Sequence, residues 1–103
     1  MSMNSRLKLP EKQIVDFCRR NQINRLSLFG SVLRDDFRPD SDVDFLVEFA
    51  PGARVGLIRL AALEIELSSI IGRKVDLRSP GDLSPYFRDR VVAEARIAYA
   101  ARA

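Results

Sequence analysis

At 103 residues the chain has length for one hydrophobic core and none to spare for a separate substrate-holding domain, so it reads as a single domain over 1–103 with residues 1–9 frayed. It is 47% hydrophobic and 30% charged, with no uncharged apolar run of membrane-spanning length and no apolar core of a secretory signal in its first ten residues, which predicts a cytoplasmic protein without membrane attachment. The formal charge of +3 comes from fourteen scattered arginines against three lysines, a balance that favours phosphate-bearing ligands mildly and argues against direct nucleic-acid binding. Histidine is absent and Cys18 is the only cysteine, which excludes an internal disulfide, histidine-based zinc sites and histidine acid–base catalysis. Chemistry must therefore run on carboxylates, hydroxyls, arginines or a hard metal ion.

In chain order, Pro10 and Glu11 open a helix through Arg20, with Ile14, Phe17 and Cys18 at helical spacing as its buried stripe. Cys18 is read as a small core hydrophobe. Arg25 to Phe29 is a short strand stopped by Gly30, Ser31 to Phe37 a short helix, and Arg38 to Ser41 a polar turn around Pro39. Asp42 to Phe49 alternates as a second strand, with Val43, Phe45, Val47 and Phe49 on one face and Asp42, Asp44, Leu46 and Glu48 on the other.

Val55 to Ile71 is the longest helix, closed by Gly72 where a left-handed cap belongs. One of its stripes, Leu60, Leu63, Leu67, Ile70 and Ile71, suffices to pack on a sheet. A second stripe, Ile58, Ala61 and Ile65, is then a candidate surface for a partner or a second copy. Lys74 to Arg78 is a third strand carrying Asp76, and Ser84 to about Ala100 a closing helix with Phe87, Val91, Ala95 and Ala98 inward. The expected fold class is α/β (α+β), a small mixed sheet of at least three strands with helices packed against it.

Asp42 and Asp44 leave the same strand face about 6.6 Å apart at their Cα atoms. Two like charges so close are reconciled by a divalent ion such as Mg2+, which takes oxygen ligands from one or two carboxylates and from phosphate. Gly30 and Ser31 mark a strand-to-helix turn whose backbone N–H groups and hydroxyl can hold a phosphate. Asp76 alternates so as to project beside the first two carboxylates, and the three together suit nucleotidyl transfer.

The stretch Gly30-Ser31-Val-Leu-Arg34 followed by Ser41-Asp42-Val-Asp44-Phe-Leu-Val resembles the GSxxRG…SDxDxxV signature of the DNA polymerase beta-like nucleotidyltransferase superfamily. The small size resembles its minimal nucleotidyltransferases (MNT), antitoxin partners of HEPN-domain toxins. The resemblance implies that fold, with Asp42, Asp44 and Asp76 as catalytic and Mg2+-ligating carboxylates, Gly30 and Ser31 on the nucleotide's phosphates, and Arg34 steadying the loop or the phosphates. Asp35 stands where the signature has a further glycine. It also implies ATP as donor of AMP to a tyrosine of the HEPN toxin. Two other readings stay open at this point: an antitoxin that neutralises by binding alone, and nucleotide transfer to a small molecule or RNA, with a homo-oligomer supplying the missing wall.

Overall fold

The computed structural model describes residues 9–30 and 42–101. Two helices pack on one face of a four-stranded mixed sheet: α1 (Glu11–Arg20) and α2 (Leu57–Ile71) against strands β1 (Ile23–Phe29), β2 (Val43–Phe49), β3 (Val75–Arg78) and β4 (Arg96–Ala100), in spatial order β3-β2-β1-β4. β1 pairs antiparallel with β2 and β4, whereas β2 and β3 run parallel. Parallel neighbours need a crossover, and α2 supplies it.

α1 carries Glu11 in its first turn and Arg19 and Arg20 in its last, matching the helix dipole. Its Ile14, Phe17 and Cys18 are fully enclosed with Leu26, Val43, Phe45, Val47, Leu63 and Leu67 in one core. Ile23 and Leu26 share this core although three residues apart, because a bulge between Ile23 and Arg25 shifts the alternation of β1 by one. Arg20 bridges the helices, donating from Nε to Asp16 Oδ2 at 2.8 Å and from Nη2 to Glu66 Oε2 at 2.7 Å.

α2 ends as the sequence predicts. Gly72 takes φ 78°, and its N–H donates to Ser68 O at 2.8 Å. The same helix closes the outer edge of β3: Val75 N–H donates to Ser68 Oγ at 3.0 Å and Leu77 N–H to Glu64 Oε2 at 2.7 Å. An edge strand's unpaired N–H groups are thereby satisfied, and Asp76 lies between two anchored neighbours. The second stripe of α2 is open, with Ile58 90% and Ile65 72% exposed, together with Leu57 at 81%. No helix among the described residues is long and apolar enough to cross a membrane.

The C-terminal region departs from the expected single helix over 84–100. A 3-10 turn (Pro80–Asp82) precedes α3 (Arg88–Glu94), which stops where Ala95 turns extended at ψ 144°. Arg96–Ala100 then joins β1 as an edge strand. The apolar residues of this stretch fit helical and strand periods equally, and pairing decides: without β4 the edge of β1 would be left bare beside the core. Tyr99, expected on that helix, packs instead from β4 against the core, and Tyr86 is exposed in the turn before α3. Leu9 also packs on the core, and the rest of the stretch read as frayed, 1–8, lies outside the described residues, as do the short helix and turn read over 31–41.

Burial pushes the Cys18 thiol up to about 12. A pKa raised in the folded state contributes stability that is fully present below the unfolded value of about 8.5 and is lost as pH rises towards 12. Unfolding free energies measured by urea titration should therefore fall more steeply over that window for the native sequence than for Cys18→Ala. Native protein should also resist thiol reagents that label it at once in urea.

Candidate active site

The pairing of β2 with β3 sets Asp44 directly across from Asp76, with Val43 against Val75 and Phe45 against Leu77. The valines, Phe45 and Leu77 turn into the core, so alternation sends both carboxylates to the face away from α1 and α2. Asp42, immediately before β2, belongs to the same face and is exposed. Its Oδ2 lies 3.9 Å from Lys74 Nζ. The Asp76 Oδ2 accepts from both Nε and Nη2 of Arg78 at 3.3 Å.

From the other side of β2, Phe29 at the end of β1 lies opposite Asp44. Gly30 follows at φ 77°, its Cα so close to the Asp44 side chain that a Cβ there would run into Oδ2 and stand 3.2 Å from Cγ. Glycine is required here twice over, by the left-handed backbone and by the neighbouring carboxylate. Ser31 and Arg34, together with Asp35, lie outside the described residues.

Of the sequence-predicted residues, then, Asp44, Asp76 and Gly30 come together, and Asp42 borders them on the same face. Among the described residues no group of three acidic or sulfur ligands stands close enough, as the side chains are posed, to hold a metal ion. Asp42 and Asp76 lean towards Lys74 and Arg78, as like charges do when cations are at hand. These pairs are partly exposed and worth about 0.2–1 kcal/mol each, so a divalent ion can displace them. The donor chemistry fits Mg2+, since every candidate ligand is a carboxylate and the one thiol is sealed in the core. The close seat of Gly30 against Asp44 leaves backbone, with no side chain between, beside the carboxylates.

Lys74 and Arg78 escaped the reading of the sequence as partners of these carboxylates. The signal was present in the order Lys-Val-Asp-Leu-Arg, which puts both cations on the face of Asp76. Glu48, read as a solvated strand-face charge, has its Oε2 3.7 Å from Nη1 of Arg25 on β1.

Comparison with known proteins gives the same direction. The description "Nucleotidyltransferase domain" matches residues 11–98. A candidate protein adenylyltransferase of Methanocaldococcus jannaschii is 33% identical over 85 residues, 82% of this chain and 89% of that protein. The protein adenylyltransferase MntA of Thermococcus cleftensis is 32% identical over 72 residues, covering 70% and 71% of the two chains. Among solved structures, a candidate minimal nucleotidyltransferase superposes with a TM-score of 0.70 at 34% identity, over 92% of this chain and 94% of the other. An MNT antitoxin in complex with a tri-AMPylated Shewanella oneidensis HEPN toxin shares the fold, with a TM-score of 0.63 at 24% identity over 88% and 70%.

The two-fold demand on Gly30 can be measured against Gly52, which has φ 85° but nothing within 4 Å of an added Cβ. Gly52→Ala should cost about 1–2 kcal/mol for its backbone alone. Gly30→Ala should cost clearly more in chemical denaturation, because Asp44 must also move; equal losses would mean the close approach has no consequence.

Proposed function

The chain belongs to the nucleotidyltransferase family, and from that premise we propose that it is the antitoxin of a HEPN toxin–antitoxin pair, acting by adenylylation of its partner. It is an enzyme of nucleotidyl transfer, with ATP as the donor and a tyrosine of the toxin as the acceptor. The observation that carries this reading is the placement of Asp44 between Asp76 on one neighbouring strand and Gly30 on the other. The names of the archaeal relatives and the AMPylated toxin of the Shewanella complex support it.

In the reaction the tyrosine oxygen attacks the α-phosphorus of ATP, a new P–O bond forms, the bond to the bridging oxygen of the β-phosphate breaks, and pyrophosphate departs. Gly30, through its backbone N–H, and Ser31, through its hydroxyl, bind the phosphates, and Arg34 steadies them. Asp76, on the flank of Asp44 away from that turn, accepts the proton of the incoming hydroxyl. Asp42, Asp44 and Asp76 would hold Mg2+, which when bound neutralises charge on the triphosphate and on the leaving oxygen. Repeated addition of AMP, as in the Shewanella complex, is part of the proposal.

A protein acceptor suits the architecture better than a small molecule, because Asp42 and Asp76 are reachable from solvent and α2 leaves apolar side chains uncovered. The reading places the protein in the cytoplasm, where ATP and such a toxin meet.

Incubation with ATP labelled at the α-phosphate, Mg2+ and the HEPN partner protein should transfer label to the partner. Asp42→Asn with Asp44→Asn should lower that transfer at least about 10²-fold without loss of the folded state, since neither side chain belongs to the core. A stable complex that never acquires label would replace this reading with neutralisation by binding alone.

A further inference from the structure

Lys74, immediately before β3, and Asp76 and Arg78 within it are spaced two residues apart, a positive, a negative and a positive side chain in sequence. Lys74 reaches Asp42 and Arg78 grips Asp76, so both cations border the carboxylates that the reaction needs. Both are well exposed, with 79% of the Lys74 and 49% of the Arg78 side-chain surface open, and neither is tied into the core. Were the carboxylates to hold a divalent ion, these two positive charges would be released from their present partners beside the substrate.

The sheet order determines which part of the substrate they meet. Gly30 lies on the β1 side of Asp44, while Lys74 and Arg78 lie on the β3 side. With the triphosphate held at the Gly30 turn, the β3 flank is left for the acceptor. A tyrosine hydroxyl has no charge for two cations to read. An acceptor that already carries AMP does: its phosphodiester brings one negative charge, and its ribose brings the next hydroxyl.

We infer that Lys74 and Arg78 form an acceptor-side phosphate subsite that holds the phosphodiester of an AMP already attached and so favours the addition of the next one. This rests on the adenylylation reading above. In the repeated step a ribose hydroxyl of the attached AMP attacks the α-phosphorus of a new ATP. A P–O bond forms, pyrophosphate leaves, and the hydroxyl proton passes through a site carboxylate to water. Guanidinium and ammonium groups suit this role, since charge-assisted hydrogen bonds to a phosphate are among the stronger polar contacts.

The test is the ladder of products on the HEPN partner, resolved by intact-protein mass spectrometry at fixed times, for the native sequence, Lys74→Ala with Arg78→Ala, and Lys74→Arg with Arg78→Lys. The inference expects the ratio of second to first addition to fall about tenfold or more in the alanine variant, the scale of a lost charge-assisted hydrogen bond, and to return in the charge-conserving one. The KM for ATP in the first addition should stay within about twofold, well short of that scale. An unaltered ladder overturns the inference, and so does a uniform loss of all additions with a raised KM for ATP, which would assign the cations to the donor's phosphates. A native enzyme that stops after one AMP overturns it while leaving adenylylation intact, whereas one that adds none removes the adenylylation reading and the subsite together. Thermal melts of all three proteins separate these outcomes from misfolding, which neither exposed position should cause.

Discussion

Asp44 and Asp76 are held side by side on adjacent parallel strands, a spacing of about 4.8 Å between backbones. Were the charges themselves only that far apart, they would repel by roughly 1 kcal/mol in water and 3.5 kcal/mol at an effective dielectric of 20. An unassisted chain would not choose such an arrangement, and much of the structure serves to impose it. The core side chains Val43, Phe45, Val75 and Leu77 lock the register from the opposite face. A slip of one residue would bury the carboxylates and expose the core. Ser68 and Glu64 of α2 then fix β3 from its outer edge, so that Asp76 cannot relieve the repulsion by drifting away.

What remains is relieved by opposite charge. Lys74 and Arg78 lean on the outer two carboxylates, but exposed pairs of this kind return too little to be more than a resting arrangement. On the proposed function, the face would exchange its side-chain cations for a more highly charged one brought with the nucleotide. Gly30 completes the logic from the other flank, since only a residue without a side chain can lie so close to Asp44. Stability and chemistry meet in one constraint: the core determines the strand register, and the register determines which charges are neighbours.

Much of this was legible in the sequence where a pattern has only one physical solution. Val43, Phe45 and Val47 at every second position admit a strand with Asp42 and Asp44 on the far face, although Leu46 is buried on that face too, and an apolar helix ending in Gly72 admits only a left-handed cap. The stripe of Ile14, Phe17 and Cys18 was likewise unambiguous. The C-terminal stretch was not, because Val91, Ala95 and Ala98 fit a helix as well as Ala98 and Tyr99 fit an edge strand, and long-range pairing with β1 made the choice. The bulge at the start of β1 was hidden for the same reason, since it shows itself only when a partner strand is in register. The alternation around Asp76 places Lys74 and Arg78 on its face, but the approach of Lys74 to Asp42 was hidden, since it needs β2 and β3 side by side.

The most direct measurement of the central claim is a crystal structure of the protein with Mg2+ and a non-hydrolysable ATP analogue. The account predicts the ion about 2.1 Å from carboxylate oxygens of Asp42 and Asp44, the triphosphate at the Gly30 turn, and Lys74 and Arg78 released from their present partners. An analogue seated away from β2 and β3, or an ion held without either of those aspartates, would contradict it.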